Sequence, residues 1–278
     1  MEGDLLLPVR DTARTHAPDR YMAALLVPRS YRDDLVILAA FLGEMERIPR
    51  IVREPALGEI RLQWWRDWLN NLETQPVTGN PIADAMGEVI VRHNLPRDTI
   101  ADLIDVRTED FYSDPVSGPE AFLHYIDRSE TGPFHLAASI TGAKLGSAED
   151  ARLCAAARAY GAVRCLLHLP FAISRGRWPL PVEYLDIDVT RFGHEENQLA
   201  AAQSRQVAMK TIRAELARLR AGNSRLSRDL LSALLPAALI EPYLQALQRE
   251  ENWLQTPVEI SPLTRVWRLW RAWRRAKL

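Results

Sequence analysis

The sequence predicts an all-α fold, on three observations. Glycine is scarce, at 13 of 278 residues, while Ala, Leu and Arg are frequent, a composition that favours helix. Apolar residues recur at three- and four-residue spacings in one segment after another. No stretch alternates apolar and polar residues for long enough to build a sheet, and no internal repeat divides the chain. The 47% hydrophobic content is ample for a buried core, and length alone allows one large domain or two.

The elements follow in order. Ser30 with Asp33 forms a candidate capping pair before the apolar face Leu35, Leu38, Ala39 and Leu42. Ile60, Trp64, Trp65, Trp68 and Leu72 mark the next helix, with the tryptophans read as core and helix-packing residues. Asn80-Pro81 offers an N-cap followed by proline at the first helical position and opens Ile82 to Arg92; Pro96 opens a segment through Phe111. Gly118-Pro119 begins a short helix to Ile126, Thr131 to Ala143 is a helix of small residues, and Ala148 to Leu169 is a long one. Val182 to Val189 reads as loop or short strand. Gln198 to Arg220 is amphipathic and is followed by Arg228 to Leu235 and Glu241 to Leu247.

Composition and motifs exclude several functions. A formal charge of -1 does not suit a surface built for nucleic acid. There is no Gly-rich phosphate loop, His-Glu-x-x-His, Gly-x-Ser-x-Gly or Cys-x-x-Cys. Cys154 and Cys165 fall on one predicted helix about 16 Å apart, too far for a disulfide, and read as small core residues in a reducing compartment. His194-Glu195-Glu196 stands at a helix start, where acids complement the dipole. No run approaches the ~20 apolar residues of a membrane span, and Met1-Glu2-Gly3-Asp4 does not read as a signal or transit peptide.

Two segments carry the chemistry. One is Glu44-Met45-Glu46-Arg47-Ile48-Pro49-Arg50, with Gly58-Glu59-Ile60-Arg61-Leu62-Gln63-Trp64-Trp65-Arg66-Asp67 soon after. The other runs from Leu166-Leu167-His168-Leu169-Pro170 to Gly176-Arg177-Trp178-Pro179-Leu180-Pro181. By these residues the chain resembles the squalene/phytoene synthase family, all-helical enzymes that join two isoprenoid diphosphates head to head. The resemblance implies a single isoprenoid-synthase-like helical bundle around a central cavity over 18–260, with an N-terminal extension at 1–17 and a basic Trp-rich helix at 261–278.

In that family an Asp-Asp-x-x-Asp run precedes the Trp-Trp-Arg-Asp-like helix, and an Arg-Asp-x-x-x-Asp run precedes Gly-Arg and Leu-Pro. Counted without gaps, the first falls on Glu46, Arg47 and Arg50, and the second on Leu167, His168 and Ala172. One carboxylate remains at these places. A diphosphate leaves only when its charge is neutralised, which magnesium ions on facing carboxylates accomplish. Arginine and neutral imidazole are poor magnesium ligands, and Pro49 and Pro170 each tend to kink or end a helix.

The resemblance therefore implies no catalytic residue and no metal or other cofactor, with magnesium retained only if the chain is an active prenyl-diphosphate transferase. Candidate cavity or anion-binding residues are Glu46, Arg47, Arg50, Gln63, Arg164, His168, Arg175 and Arg177. For the arginines the competing reading is a solvated face or pairing with Glu44, Glu54 and Glu59, which suits Arg53 best. His168 reads as a hydrogen-bonded core residue ahead of a general base. The pattern is most similar to a branch of the family that includes a mitochondrial complex I assembly factor. That likeness implies a non-catalytic factor binding an isoprenoid or other lipid, a respiratory complex I subunit or assembly protein, or both. A bacterial protein, cytoplasmic and peripherally attached to the membrane, is the expected setting.

The C-terminus is separate from these motifs. From Leu263 to Trp273, Leu263, Val266, Trp267, Leu269, Trp270 and Trp273 fall on one arc, and Arg265, Arg268, Arg271 and Arg275 on the other. Two readings stand open: Trp267, Trp270 and Trp273 with Arg268 and Arg271 face an anionic membrane surface, or the indoles dock on the domain.

Overall fold

The computed structural model of the chain describes residues 6–112, 116–182, 195–221 and 225–278. Its helices are α1 (Leu7–His16), α2 (Pro18–Leu26), α3 (Arg29–Ile51), α4 (Pro55–Asn70), α5 (Pro81–His93), α6 (Arg97–Glu109) and α7 (Gly118–Ile126). A π-helical turn, Asp127–Thr131, leads into α8 (Gly132–Thr141), α9 (Ser147–Leu167) and the short α10 (Leu169–Ser174). Then come α11 (Glu195–Ala221), α12 (Arg228–Leu234), a 3-10 turn (Leu235–Leu239), α13 (Ile240–Arg249) and α14 (Pro262–Arg275). Among the described residues there is no strand, only an isolated parallel bridge between Ser117 and Val182. The fold is all-α, as expected.

Two long helices organise the bundle. α3 carries an almost unbroken buried run from Asp34 to Gly43 and packs on α1, α2, α5, α6 and α8. α9 is rich in alanine, so neighbours approach it closely; it packs on α11, the π turn, α7, α8 and α13. Gly161 lets the π turn sit against α9, since a Cβ there would stand 2.6 Å from Ile126 Cγ2 and 2.9 Å from Glu130 Cγ.

The local signals act as their chemistry dictates. Asn80 Oδ1 accepts from the backbone N–H of Ile82 at 3.0 Å and of Ala83 at 3.2 Å, with Pro81 following it. α7 begins at Gly118 and ends at Ile126. Pro170 falls in the first turn of α10 and separates it from α9, with His168 as the joint. Pro49 does not end α3, which runs on to Ile51; it occupies the last turn.

Three expectations are corrected. No Ser30–Asp33 cap forms: α3 starts one residue earlier, behind Pro28, and Asp33 instead accepts from Arg10 at 3.3 Å. Trp64 is 41% exposed, while Trp65 and Trp68 are buried against Phe41. Adjacent helical residues point about 100° apart, so Trp64 and Trp65 cannot both face one core. Finally, 228–249 is apolar enough in composition to cross a membrane, with a mean hydropathy of 1.4 over its best window. That window is mostly buried in the domain and is broken by the 3-10 turn, so it is core. Of Val182 to Val189 only Val182 belongs to the described residues, and His194 and the side chains of Glu195 and Glu196 lie outside them.

Candidate functional site

A cavity of about 140 Å3 opens between the C-terminal halves of α3 and α9, with α6, the π turn and α10 completing its wall. Glu46 and Arg50, one turn apart on α3, face Arg164 on α9 and His168 at the α9–α10 joint. Asp110 and Arg107 enter from α6, Glu130 from the π turn, and Arg175 and Arg177 from the segment after α10. The lining includes six arginines (50, 53, 107, 164, 175 and 177) and three carboxylates (46, 110 and 130), a formal balance of +3.

Every one of those carboxylates is engaged by arginine. Glu46 pairs closely with Arg164 and lies 3.6 Å from Arg50. Glu130 pairs with Arg20 at 2.6 Å and with Arg164 at 3.2 Å. Asp110 pairs with Arg177 at 2.8 Å and Arg107 at 3.2 Å, and accepts from the Tyr125 hydroxyl at 2.9 Å. Arg20 lies over the rings of Phe134 and Tyr160, so its desolvated guanidinium has π-faces as well as a carboxylate.

The protonation states follow from this arrangement. Burial alone would push the Glu46 carboxyl up, but Arg164, Arg50 and Arg107 together outweigh it and bring it down to about 2. His168 is driven well below the usual imidazole value by burial first and then by Arg50 and Arg164, so the ring is neutral near pH 7. The Arg50 guanidinium lies 3.2 Å from its Nδ1 and 3.1 Å from its Nε2. Burial raises the Cys165 thiol to about 12, which leaves it un-ionised.

The sequence-selected residues divide into two groups. Glu46, Arg50, Arg164, His168, Arg175 and Arg177 all line the cavity. Within it Arg175 donates to the carbonyls of Arg50 and Val52, tying α10 to the end of α3, and Arg177 donates to Asp110 and to the Tyr112 carbonyl. Arg47 and Gln63 do not belong to the lining: Arg47 pairs with Glu44 at 2.9 Å, and Gln63 is exposed and donates to Asp67 at 2.8 Å. Arg53 is exposed yet stands at the rim.

Sequence reasoning missed Arg20, Arg107 and Glu130. Arg107 gave a signal: it continues the buried stripe Ile100, Leu103 and Ile104 of α6, where a charged residue is out of place unless paired. Also unforeseen was a polar clasp between α8 and α9, where His135 Nε2 lies 2.7 Å from Asp150 with Cys154 one turn on; the three donor atoms are within 4.8 Å of one another.

With the bundle and its charged cavity established, the class of protein is clear. The squalene/phytoene synthase model matches residues 13–266, and the chain belongs to that family. A dehydrosqualene synthase solved with a ligand superposes with a TM-score of 0.72 at 12% identity, covering 97% of this chain and 95% of that one. The squalene synthase HpnC of Alicyclobacillus acidocaldarius superposes with a TM-score of 0.61 at 18% identity, covering 99% and 94%. At these identities the likeness shows the fold. In sequence the chain is 25% identical over 235 residues to the NADH dehydrogenase (ubiquinone) complex I assembly factor 6 of Bos taurus, covering 82% of this chain and 69% of that protein. The same assembly factor of Rattus norvegicus is 24% identical over 237 residues.

Proposed function

We propose that this chain is a non-catalytic member of the squalene/phytoene synthase family that serves the assembly of a respiratory complex of the NADH dehydrogenase type. Its cavity receives an anionic group, from a lipid or from a protein segment. The saturation of the cavity's carboxylates by arginine carries this reading. Magnesium needs carboxylate oxygens with free lone pairs, in octahedral array, beside open positions for phosphate oxygens. Here Glu46, Asp110 and Glu130 each face two guanidinium groups, and a magnesium ion would have to displace or sit against them. The residues present do not fit the metal that the reaction uses.

The balance of +3 and an unsatisfied donor favour an anion. Arg107 lines the cavity, and its buried Nε has no hydrogen-bond partner among the described residues. Arginine recognises phosphate and carboxylate without a metal, through paired N–H donors. The two assembly-factor relatives support the choice of pathway, since they match over more than four-fifths of this chain.

Two measurements test the reading. Purified protein with farnesyl or geranylgeranyl diphosphate and magnesium should yield no squalene, phytoene or cyclopropyl intermediate; a product would overturn it. Deleting the gene in its host should lower the amount of assembled NADH dehydrogenase in the membrane, and the wild-type chain should restore it. An unchanged level would remove the assembly role.

A further inference from the structure

The C-terminal helix α14 is held to the domain by one face. Leu269 and Ala272 are buried, and Arg265 turns inward to pair with Asp19 at 2.7 Å and to donate to the Tyr243 hydroxyl at 3.0 Å. Arg265 therefore does not belong to the outer basic stripe, and Leu269 does not belong to the outer apolar one. Trp273 is half-buried, with Arg228 over its ring at 4.8 Å.

The opposite face has no partner among the described residues. Leu263 is 83% exposed, Trp267 52% and Trp270 37%, with Val266 beside them. The two indoles stack on each other, centroids 5.3 Å apart, and Arg274 caps Trp270 at 4.8 Å. Core packing cannot account for this strip, since α14 is already docked through residues about half a turn away.

Between the docked and outer faces runs a basic flank. Arg268, Arg271 and Arg275 line a groove of about 290 Å3 formed with α11 and the 3-10 turn, and none of the three has a hydrogen-bond or ion-pair partner among the described residues. Leu216, Leu219 and Ala237 give the groove apolar walls, and its one acidic side chain, Glu241, is paired with Arg220. Uncompensated arginines facing one groove repel one another, so an anion placed there is favoured.

We propose that this groove seats the phosphate of an anionic phospholipid headgroup while Trp267 and Trp270 enter the boundary between headgroups and acyl chains. The two requirements identify the partner together. A row of bases alone would fit any polyanion, but an adjacent exposed strip of indole, leucine and valine needs an apolar phase beside the phosphates, which a bilayer surface provides. On the helical wheel Trp267 adjoins Arg271, so one surface meets both. This site is separate from the central cavity and does not depend on the function proposed for it.

The test is sedimentation of the intact protein with vesicles of phosphatidylcholine, with or without phosphatidylglycerol. Binding should require the anionic lipid and fall as salt rises. Arg271→Gln with Arg275→Gln should weaken it about thirtyfold, the effect of losing two bases near a charged surface. Trp267→Ala with Trp270→Ala should weaken binding while the remainder keeps its salt dependence; Leu263→Ser with Val266→Ser reads the same strip without touching the indoles. Equal sedimentation with neutral vesicles, or undiminished binding by the double glutamine variant, would overturn the assignment. Calorimetry with inorganic phosphate distinguishes a free anion from a headgroup: phosphate binding without any vesicle binding would also overturn it.

Discussion

The central cavity and the groove beside α14 are both rich in arginine, and they use it in opposite ways. In the cavity every carboxylate is answered from within: Arg164 bridges Glu46 and Glu130, and Asp110 holds Arg107 and Arg177. Beside α14, Arg268, Arg271 and Arg275 are left open next to exposed indoles. Burial explains the difference. A charge taken out of water must be paired, whereas an exposed one is hydrated and needs no partner for the fold. Pairing in the cavity is thus demanded by folding, while the open arginines of α14 are available for binding.

The largest expected effect comes from breaking the cavity network. Arg164→Met leaves Glu46 and Glu130 buried with one partner fewer each and should lower stability by roughly 3–5 kcal/mol in chemical denaturation. A loss under about 1 kcal/mol would mean that the network is not stabilised as described. Next is the contrast between the two faces of α14. Leu269→Ala, at a fully buried position, should cost about 2–4 kcal/mol. Trp267→Ala should stay within about 0.5 kcal/mol, as a change at an outward site does. Comparable losses at the two positions would erase the distinction between docked and open faces.

A smaller effect is expected at the tight contact of the π turn with α9. Gly161→Ala places a methyl group against Ile126 and Glu130 and should cost about 1–3 kcal/mol. The smallest effect is the pH dependence. His168 has a depressed value in the fold, so the unfolded chain takes up its proton first as pH falls below about 6.5, and the stability it contributes is lost on the acid side. Glu46, held at about 2 against an ordinary 4.5, acts in the same direction over the window from about 4.5 down to about 2. His168→Gln should therefore flatten the melting temperature between pH 7.5 and 5.5 and leave the more acidic decline in place. A profile identical to wild type would show that the buried imidazole is not what titrates.

Much of the bundle was legible because its signals are local. Asn80-Pro81 and Gly118-Pro119 mark helix starts, and the segments read as 148–169 and 198–220 end within a few residues of α9 and α11. The motif register likewise brought Glu46, Arg50, His168 and Ala172 to one cavity from two segments more than a hundred residues apart. Arg20 and Glu130 were not legible, because their pairing joins α2 to the π turn across 110 residues and neither carries a motif. The three-faced character of α14 was hidden for the same reason. Arg265 looks like one more base on a basic stripe until Asp19 and Tyr243 arrive from distant helices. A helical wheel sorts residues by direction but does not say which direction meets the domain.

Arginine, not a divalent ion, neutralises the cavity's carboxylates, and manganese binding tests that most directly. Electron paramagnetic resonance of Mn2+ titrated into the protein, with and without inorganic diphosphate, reads site occupancy without requiring turnover. No manganese site that depends on Glu46 should saturate at millimolar concentrations, so wild type and Glu46→Gln should give the same titration. One or two saturable sites that disappear in Glu46→Gln would contradict it.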